Sequence, residues 1–196
     1  MLKTDSECAI DGRRLRSERS RLAFIDASLA LQEEGVLVPT AQQIADRAGV
    51  GIRSFFRHFE DMETLFEAID DHIRDSYEAL FLGGEQSGTL AERIEGLVKR
   101  RADAYESVNT LMQGTRCQLW RYPKLRQNYA RNQRGLRKDL DGRLPELRSL
   151  LGETRESIDA ITSFEMWDRL RSEQGLSKTA SISLVTTLLT RLIVAD

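Results

Sequence analysis

The sequence is poor in the residues that build catalytic and metal centres. It has only two histidines and two cysteines among 196 residues, and none of them has a partner at metal-ligand spacing. Neither a glycine-rich phosphate loop nor a serine-nucleophile motif is present. We therefore predict that the protein is not an enzyme and holds no metal or cofactor. An enzyme built on a helical bundle is the remote alternative.

Long apolar runs are missing as well. The N-terminus lacks the apolar stretch of a signal peptide. The most apolar segment, Ile182–Ala195, is too short for a membrane span and contains Arg191. Cys8 and Cys117 lack motif spacing, so we expect reduced thiols, with Cys117 buried in an apolar helix. These features predict a cytoplasmic protein with no membrane partner.

Prolines are few, three in all, and neither strand-like alternation nor a sequence repeat is evident. Apolar residues instead recur at helical spacing through most of the chain. The sequence therefore predicts an all-α fold. The expected helices cover residues 13–35, 40–48, 51–58, 61–83, 90–108, 109–121, 123–144, 155–174 and 178–195.

The most informative stretch is residues 40–59. Thr40 and Gln43 have the spacing of a capping box, which opens a short helix that Gly49 can end in the left-handed conformation. A second helix follows from Gly51 to about His58. At about 100° per residue its buried and basic sides fall opposite each other. This pattern is typical of a helix-turn-helix, whose second helix enters the DNA major groove. A bundle corner with solvated arginines is the alternative from these residues alone.

The formal net charge of −2 is unevenly distributed. Residues 13–57 carry eight arginines against five acidic residues, whereas residues 61–81 carry seven acidic residues against Arg74 alone. A local basic surface beside an acidic one directs a single face toward phosphates. Residues 116–143 are also basic. There we favour a solvated helix face that pairs in part with 61–81 over a second nucleic-acid surface. Arginines that face a cavity and bind an anionic ligand are an open alternative.

Residues 21–66 resemble the DNA-binding domain of the TetR family of bacterial transcriptional regulators. The shared pieces stand at the family's spacing: residues 21–28, Gly35, residues 43–45, 48–50, 55–59 and 63–65. The resemblance implies a three-helix helix-turn-helix domain over residues 1–60. Residues 61–196 would then form a helical-bundle domain for ligand binding and dimerisation.

The resemblance also implies which residues contact an inverted-repeat operator. Ile52, Arg53 and Ser54 would read bases, and flanking residues would hold phosphates. Arginine suits the paired acceptors of guanine, and isoleucine can meet a thymine methyl group. The full expected set is Arg14, Arg16, Arg19, Thr40, Gly51, Ile52, Arg53, Ser54, Phe56, Arg57 and His58. Thr40 could equally serve only as a helix cap, and His58 only as a packed ring.

Three positions depart from the family's usual pattern. Phe56 stands where tyrosine is common, Met62 where lysine is common, and Gly51 where a serine or threonine cap is common. A hydroxyl group and a positive charge for phosphates are therefore missing. Arg57 and the arginines at 13–21 can substitute for them.

The last two predicted helices are apolar over most of their circumference. Such a helix buries both sides, and packing against a second copy of the chain achieves this. We therefore expect a homodimer, the arrangement that the TetR resemblance implies. The expected interface residues are Ile161, Leu184, Val185, Leu188 and Leu192.

The expected function is a repressor released from its operator by a small-molecule effector, through a shift between two spacings of the recognition helices. The candidate effector pocket is lined by Tyr105, Met112, Trp120, Phe164 and Trp167. Ordinary core packing is an equal alternative for these side chains. A ligand-independent or architectural DNA-binding protein is the main alternative function, and a closed core would favour it.

Overall fold

The computed structural model describes residues 5–82 and 87–194, and the side chains of these residues other than 5–11 and 13. Within these ranges the fold is all-helical, which confirms the predicted fold class. The α-helices are α1 Asp5–Glu33, α2 Ala41–Ala48, α3 Ile52–His58, α4 Met62–Phe81, α5 Leu90–Ser107, α6 Asn109–Gln118, α7 Pro123–Arg143, α8 Gly152–Ile161, α9 Phe164–Asp168 and α10 Lys178–Val194. A 3-10 turn at Pro145–Arg148 follows α7, and a π-turn at Arg169–Glu173 follows α9.

Two predicted helix boundaries are wrong. Helix α1 begins at Asp5 rather than at residue 13. The single helix expected over 155–174 is broken, because the Ser163 hydroxyl accepts a hydrogen bond from the Met166 amide (3.2 Å) and starts α9 as a new helix. The expected end of α4 at Gly83–Gly84 lies outside the described residues, as does the expected end of the last helix at Ala195.

The chain divides into two compact units. The first unit comprises residues 1–72 together with the distant segment 113–126, and the second comprises residues 73–112 and 127–196. Residues 113–126 include most of α6 and the start of α7. The sequence predicts that they belong to the C-terminal domain, residues 61–196. Membership of a unit depends on contacts between residues far apart in the chain, and no local pattern records those contacts.

Aromatic side chains form the centre of the first unit. Phe24 of α1 and Phe55 of α3 are fully buried, with ring centroids 5.3 Å apart in an edge-to-face arrangement. Phe59 packs on both rings, at 6.2 Å and 5.4 Å. Such pairs add about 0.5–1.5 kcal/mol each beyond their buried area. This cluster fixes the orientation of α3 on α1.

The second unit has two neighbouring cores. One is aliphatic and is built from α5, α7, α8 and α10, with Ile94, Leu140 and Leu189 at its centre. The other is largely aromatic and includes Tyr105 and Phe164, whose ring centroids are 5.6 Å apart. Helix α10 contributes one buried side chain per turn to the aliphatic core, as expected for a helix packed on one face.

None of the helices in the described ranges is long and apolar enough to cross a membrane. The side chain of Cys8 lies outside the described side chains. Cys117 is a free thiol on the exposed side of α6, so the prediction that it is buried is wrong. The buried side of this part of α6 is instead formed by Gly114 and Gln118.

Candidate DNA-binding surface

Helix α2 is bounded as its sequence predicts. The Thr40 hydroxyl accepts a hydrogen bond from the Gln43 amide (3.2 Å), and the Thr40 amide donates to the Gln43 side chain (2.9 Å), which completes the capping box. Gly49 ends the helix at φ +64°, a left-handed conformation that favours glycine. A short turn through Val50 and Gly51 then leads into α3.

Helix α3 is held by one buried face. Phe55 lies fully buried against α1, and Phe59, at the C-cap, is 1% exposed. The Phe59 amide donates to the Phe55 carbonyl (2.8 Å) and closes the last turn. Because both rings face α1, the remaining sides of α3 face outward.

The outward face of α3 is basic with one aromatic ring. Arg53 and Arg57 are exposed, and Phe56 is 56% exposed although its ring contacts the edge of Phe55 at 5.4 Å. Ile52 and Ser54 are half-buried beside them, and Gly51 is exposed at the helix start. An exposed aromatic ring between two arginines offers both cations and an apolar surface to a ligand.

The arginines of this surface differ in their contacts. Arg57 donates to the Ser54 hydroxyl (2.7 Å), which fixes its direction along the helix. Arg53 forms no hydrogen bond or ion pair within the described part of the chain. The side chains of Arg14, Arg16 and Arg19 on α1 are likewise exposed without such contacts. Among the described side chains, no carboxylate neutralises the charges of these arginines.

His58 combines packing with a hidden polar atom. Its ring lies 6.0 Å from that of Phe24, and its buried Nε2 has no hydrogen-bond partner. Burial lowers the pKa of His58, and the nearby charges of Arg57 and Arg21 lower it further. In the free protein the imidazole is therefore biased toward its neutral form.

The start of α4 carries a cap that the sequence reading missed. The Asp61 carboxylate accepts from the Thr64 amide (2.9 Å), and the Asp61 amide donates to the Thr64 hydroxyl (3.2 Å). The carboxylate also accepts from the Thr64 hydroxyl (2.7 Å), and this bond and the one from the Thr64 amide lower the pKa of Asp61. The pair stands at capping-box spacing and could have been found by that signal. Met62 is half-buried just after the cap.

A capped helix, a glycine turn and a second helix with an exposed basic face have the arrangement of a helix-turn-helix motif. Residues 25–69 match the family model of bacterial regulatory proteins of the tetR family. This match confirms the resemblance seen in the sequence, and it covers the chain from the middle of α1 into α4. The N-terminal part of the chain is therefore similar to the corresponding domain of TetR-family regulators.

Solved structures extend the likeness over most of the chain. A transcriptional regulator from Rhodococcus sp. Rha1 has a TM-score of 0.66 at 16% identity, covering 91% of this chain and 96% of its own. A TetR transcriptional regulator from Rhodococcus sp. RHA1 gives 0.54 at 17% identity, covering 90% and 97%. At these identities the likeness establishes the fold. No curated protein matches the sequence significantly.

Four of the five residues expected to line an effector pocket lie together in the second unit. Tyr105, Met112, Phe164 and Trp167 are all 5% exposed or less and belong to one aromatic core. Trp120 does not join them. It belongs to the first unit and is 78% exposed, because α6 ends at Gln118 and leaves it in the turn beyond.

Two spaces border this aromatic core. A cavity of about 10 Å³ lies beside Tyr105 and Trp167. A groove of about 430 Å³ lies between the C-terminal half of α4 and α7, with Tyr77, Phe81 and Leu136 among its apolar lining. The groove was not foreseen, because it depends on how α4 and α7 pack.

The residues expected at a dimer interface differ in exposure. Val185 is 5% exposed and belongs to the aliphatic core of the second unit, so its side chain is already covered within one chain. Leu184 is 36% exposed. Ile161, Leu188 and Leu192 are half-buried. The interface itself stays a prediction.

Three cations of the basic stretch 116–143 pair with acidic residues. Arg143 forms a nearly buried ion pair with Asp139 (2.8 Å), and Arg137 pairs with Glu156 and with Asp159 (3.5 Å for the latter). Lys124 pairs with Glu67 at 2.5 Å, a contact with the acidic stretch of the kind we expected. This pairing favours a structural helix face over a second nucleic-acid surface.

Proposed function

We propose that the chain is a TetR-type repressor that binds an inverted-repeat operator as a homodimer and is released by a small-molecule effector. The observation that carries DNA recognition is the outward face of α3. This face is basic and has no carboxylate partner within the described part of the chain, while the opposite face is held in the core by Phe55 and Phe59.

Base reading is assigned to the start of α3. Arg53 is exposed and uncommitted, so its guanidinium is available to the two acceptors of a guanine. Ile52 and Ser54 flank it. Phosphate contacts are assigned to the surrounding residues, which position the protein without reading sequence. These are Arg14, Arg16, Arg19, Thr40, Gly51, Phe56, Arg57 and His58.

Dimerisation is assigned to α8 and α10. The exposed Leu184 lies next to the half-buried Leu188 along the side of α10 that turns away from its own core. Burying such apolar side chains against a second copy contributes about 25 cal/mol per Å². A symmetric dimer would present two recognition helices to two half-sites of one operator.

Release by an effector is assigned to the second unit. The groove between α4 and α7 has the volume of a small-molecule site, with apolar walls and a few polar groups. The aromatic core that contains Tyr105 and Trp167 borders it. A ligand that favours one conformation of this unit would shift the population of DNA-binding states.

A ligand-independent regulator is the second candidate. It is favoured by one observation: Tyr105, Met112, Phe164 and Trp167 pack into a core whose adjoining cavity is only about 10 Å³. The two candidates share the DNA-binding surface and differ only in whether small molecules change its affinity.

The test is selection of bound duplexes from random DNA, followed by affinity measurements on the enriched site and on a scrambled version. We expect an inverted repeat with half-site centres about one helical turn, or a multiple of it, apart. Equal affinity for the enriched and scrambled duplexes would contradict operator recognition. A compound screen on the complex then separates the two candidates, because only the first predicts release.

The dimer has its own test. Leu188→Glu places a charge in the expected interface, where an unpaired buried charge costs several kcal/mol. We expect sedimentation to show a dimer for the wild type and a monomer for the variant. Thr187→Glu, at the exposed neighbouring position, is the control. A monomeric wild type at micromolar concentration would remove the proposal.

A further inference from the structure

Arg101 of α5 is a buried cation without an acidic partner. The residue is 4% exposed. Its Nη1 donates to the Thr162 carbonyl (3.0 Å) and hydroxyl (2.7 Å), and its Nη2 donates to the Leu136 carbonyl (2.7 Å). All three acceptors are neutral, and no carboxylate of the described residues forms an ion pair with it. Its Nε is buried with no hydrogen-bond partner.

Two other shielded arginines of the second unit are paired with acids. Arg143 has Asp139 within 2.9 Å, and Arg93 pairs with Glu146. A buried charge is costly unless an opposite charge compensates it. Arg101 differs from these two arginines, because no carboxylate of the described residues pairs with it and its buried Nε has no hydrogen-bond partner among them.

The cavity of about 10 Å³ lies directly beside Arg101. That volume corresponds to roughly one water molecule. The apolar part of its lining is formed by Val98, Ala102, Ile161, Trp167 and Val185. The polar part is formed by Arg101, Tyr105, Thr162 and Ser163. The apolar walls suit the hydrocarbon body of an organic acid, and the Arg101 guanidinium suits its carboxylate.

One wall of this cavity is made of interrupted helices. Helix α8 ends at Ile161, α9 spans only Phe164–Asp168, and a π-turn follows at Arg169–Glu173. Such a segment can shift without breaking a long helix, and π-turns are frequent at functional sites. A displacement of α9 that carries Trp167 outward would enlarge the cavity next to Arg101.

We infer that the effector is a small organic carboxylate with an apolar body. Its carboxylate pairs with the Arg101 guanidinium, which is suited to bidentate contact. Its body lies against Val98, Ile161 and Trp167. This inference rests on the proposed effector-responsive function, places the effector beside Arg101 rather than in the groove between α4 and α7, and specifies the ligand's class and its anchoring residue.

The rival explanation is structural. Arg101 bonds the Thr162 carbonyl, where α8 ends, and a cation is favoured at the negative end of a helix dipole. In that case its removal lowers stability and has no effect on ligand choice. In the effector site, its removal abolishes the preference for an anion.

Trp167 provides the readout, because it lines the cavity and the chain has only two tryptophans. In a Trp120→Phe background, Trp167 is the sole indole. The probes are acetate, benzoate and octanoate, each titrated beside acetamide, benzamide or octanamide at constant pH and ionic strength. We expect at least one carboxylate to change Trp167 emission in a saturable way. Its dissociation constant should be at least about tenfold lower than that of its amide.

The variants assign that preference to one residue. Arg101→Gln should bind carboxylate and amide alike, and Arg101→Lys should retain a weaker preference. The preferred carboxylate should raise the Tm of the parent protein but not of Arg101→Gln. If Arg101→Gln fails to fold, the comparison of carboxylates with amides on the parent protein still shows whether the site prefers an anion.

The inference is overturned if no carboxylate saturates the Trp167 signal, if each amide binds as tightly as its acid, or if Arg101→Gln keeps the preference. Operator affinity measured without probes separates it from the proposed function. Intact DNA binding with no carboxylate preference defeats the effector class alone. A clear carboxylate preference in a protein that binds no operator defeats the proposed function alone.

Discussion

Two groups of arginines, those on α1 and α3 and those at the C-terminal end of α7, differ in how they are paired. In the first unit, Arg53 of α3 and Arg14, Arg16 and Arg19 of α1 are exposed and have no carboxylate partner among the described side chains. In the second unit, the basic helix α7 pairs Arg137 and Arg143 with acids on α7 and α8. By sequence alone, residues 116–143 are more basic than residues 13–57. The difference teaches that unpaired charge, rather than the number of cations, distinguishes a surface that can attract phosphates.

The largest effect is expected when a paired arginine is lost. Arg143→Ala leaves the carboxylate of Asp139 buried and unpaired, with side chains only 4% and 6% exposed in the pair. Breaking such a pair costs about 3–5 kcal/mol. Denaturant unfolding should show this loss. Arg134→Ala, on an exposed side chain of the same helix, is the control and should change stability little. Equal effects would end the distinction between paired and free arginines.

A second prediction tests whether segment 113–126 belongs to the first unit. A Cβ added at Gly114 would lie 2.7 Å from both the Leu37 carbonyl oxygen and Gln32 Nε2. Since a backbone oxygen cannot move aside cheaply, Gly114→Ala should destabilise the protein by about 1–3 kcal/mol. The control is Gly135→Ala in α7, where a Cβ meets nothing within 4 Å. We expect this control to be stabilised by about 0.5–1 kcal/mol.

Structural features that depend on residues close in the chain could be predicted from the sequence, and features that depend on distant residues could not. The capping box at Thr40, the left-handed Gly49 and the buried Phe55 follow from residues close in the chain, so they were predictable. The exposure of Trp120, the contact of Gly114 with α1 and the pairing of Arg137 depend on residues far apart in sequence. No periodicity records those contacts. The caps at Ser163 and Asp61 also depend on residues close in the chain, so they too were predictable.

A third prediction adds a free cation to the first unit. Met62 begins α4 at a position where the TetR resemblance implies a lysine beside the DNA backbone. Met62→Lys should strengthen binding to all duplexes alike and steepen the plot of log affinity against log salt by about 0.9. The helix dipole opposes a cation there by about 0.3–1 kcal/mol, so Tm should fall slightly. An unchanged salt slope would mean that the start of α4 lies away from the backbone.

The smallest effect concerns pH. Burial lowers the pKa of His58 in the folded chain, so protonation favours the unfolded state. The stability contributed by neutral His58 is present above the unfolded pKa and is lost as the pH falls through the lowered value. His58→Gln should therefore lose less stability than the wild type between about pH 7.5 and 5.5. Phosphates near His58 would favour its charged form, so operator affinity should change with pH in the opposite direction. A wild-type stability profile identical to that of His58→Gln would contradict this assignment.

The most direct measurement of the central claim compares two exposed, unpaired arginines, one from each unit. Operator affinity and Tm are measured for Arg53→Ala and for Arg134→Ala against the wild type. We predict that Arg53→Ala loses about 1–3 kcal/mol of specific binding, relaxes the base preference at one position per half-site, and keeps its Tm. Arg134→Ala should leave affinity, base preference and Tm unchanged. Full operator binding by Arg53→Ala, or an equal loss in Arg134→Ala, would contradict the claim that α3 is the surface that reads DNA.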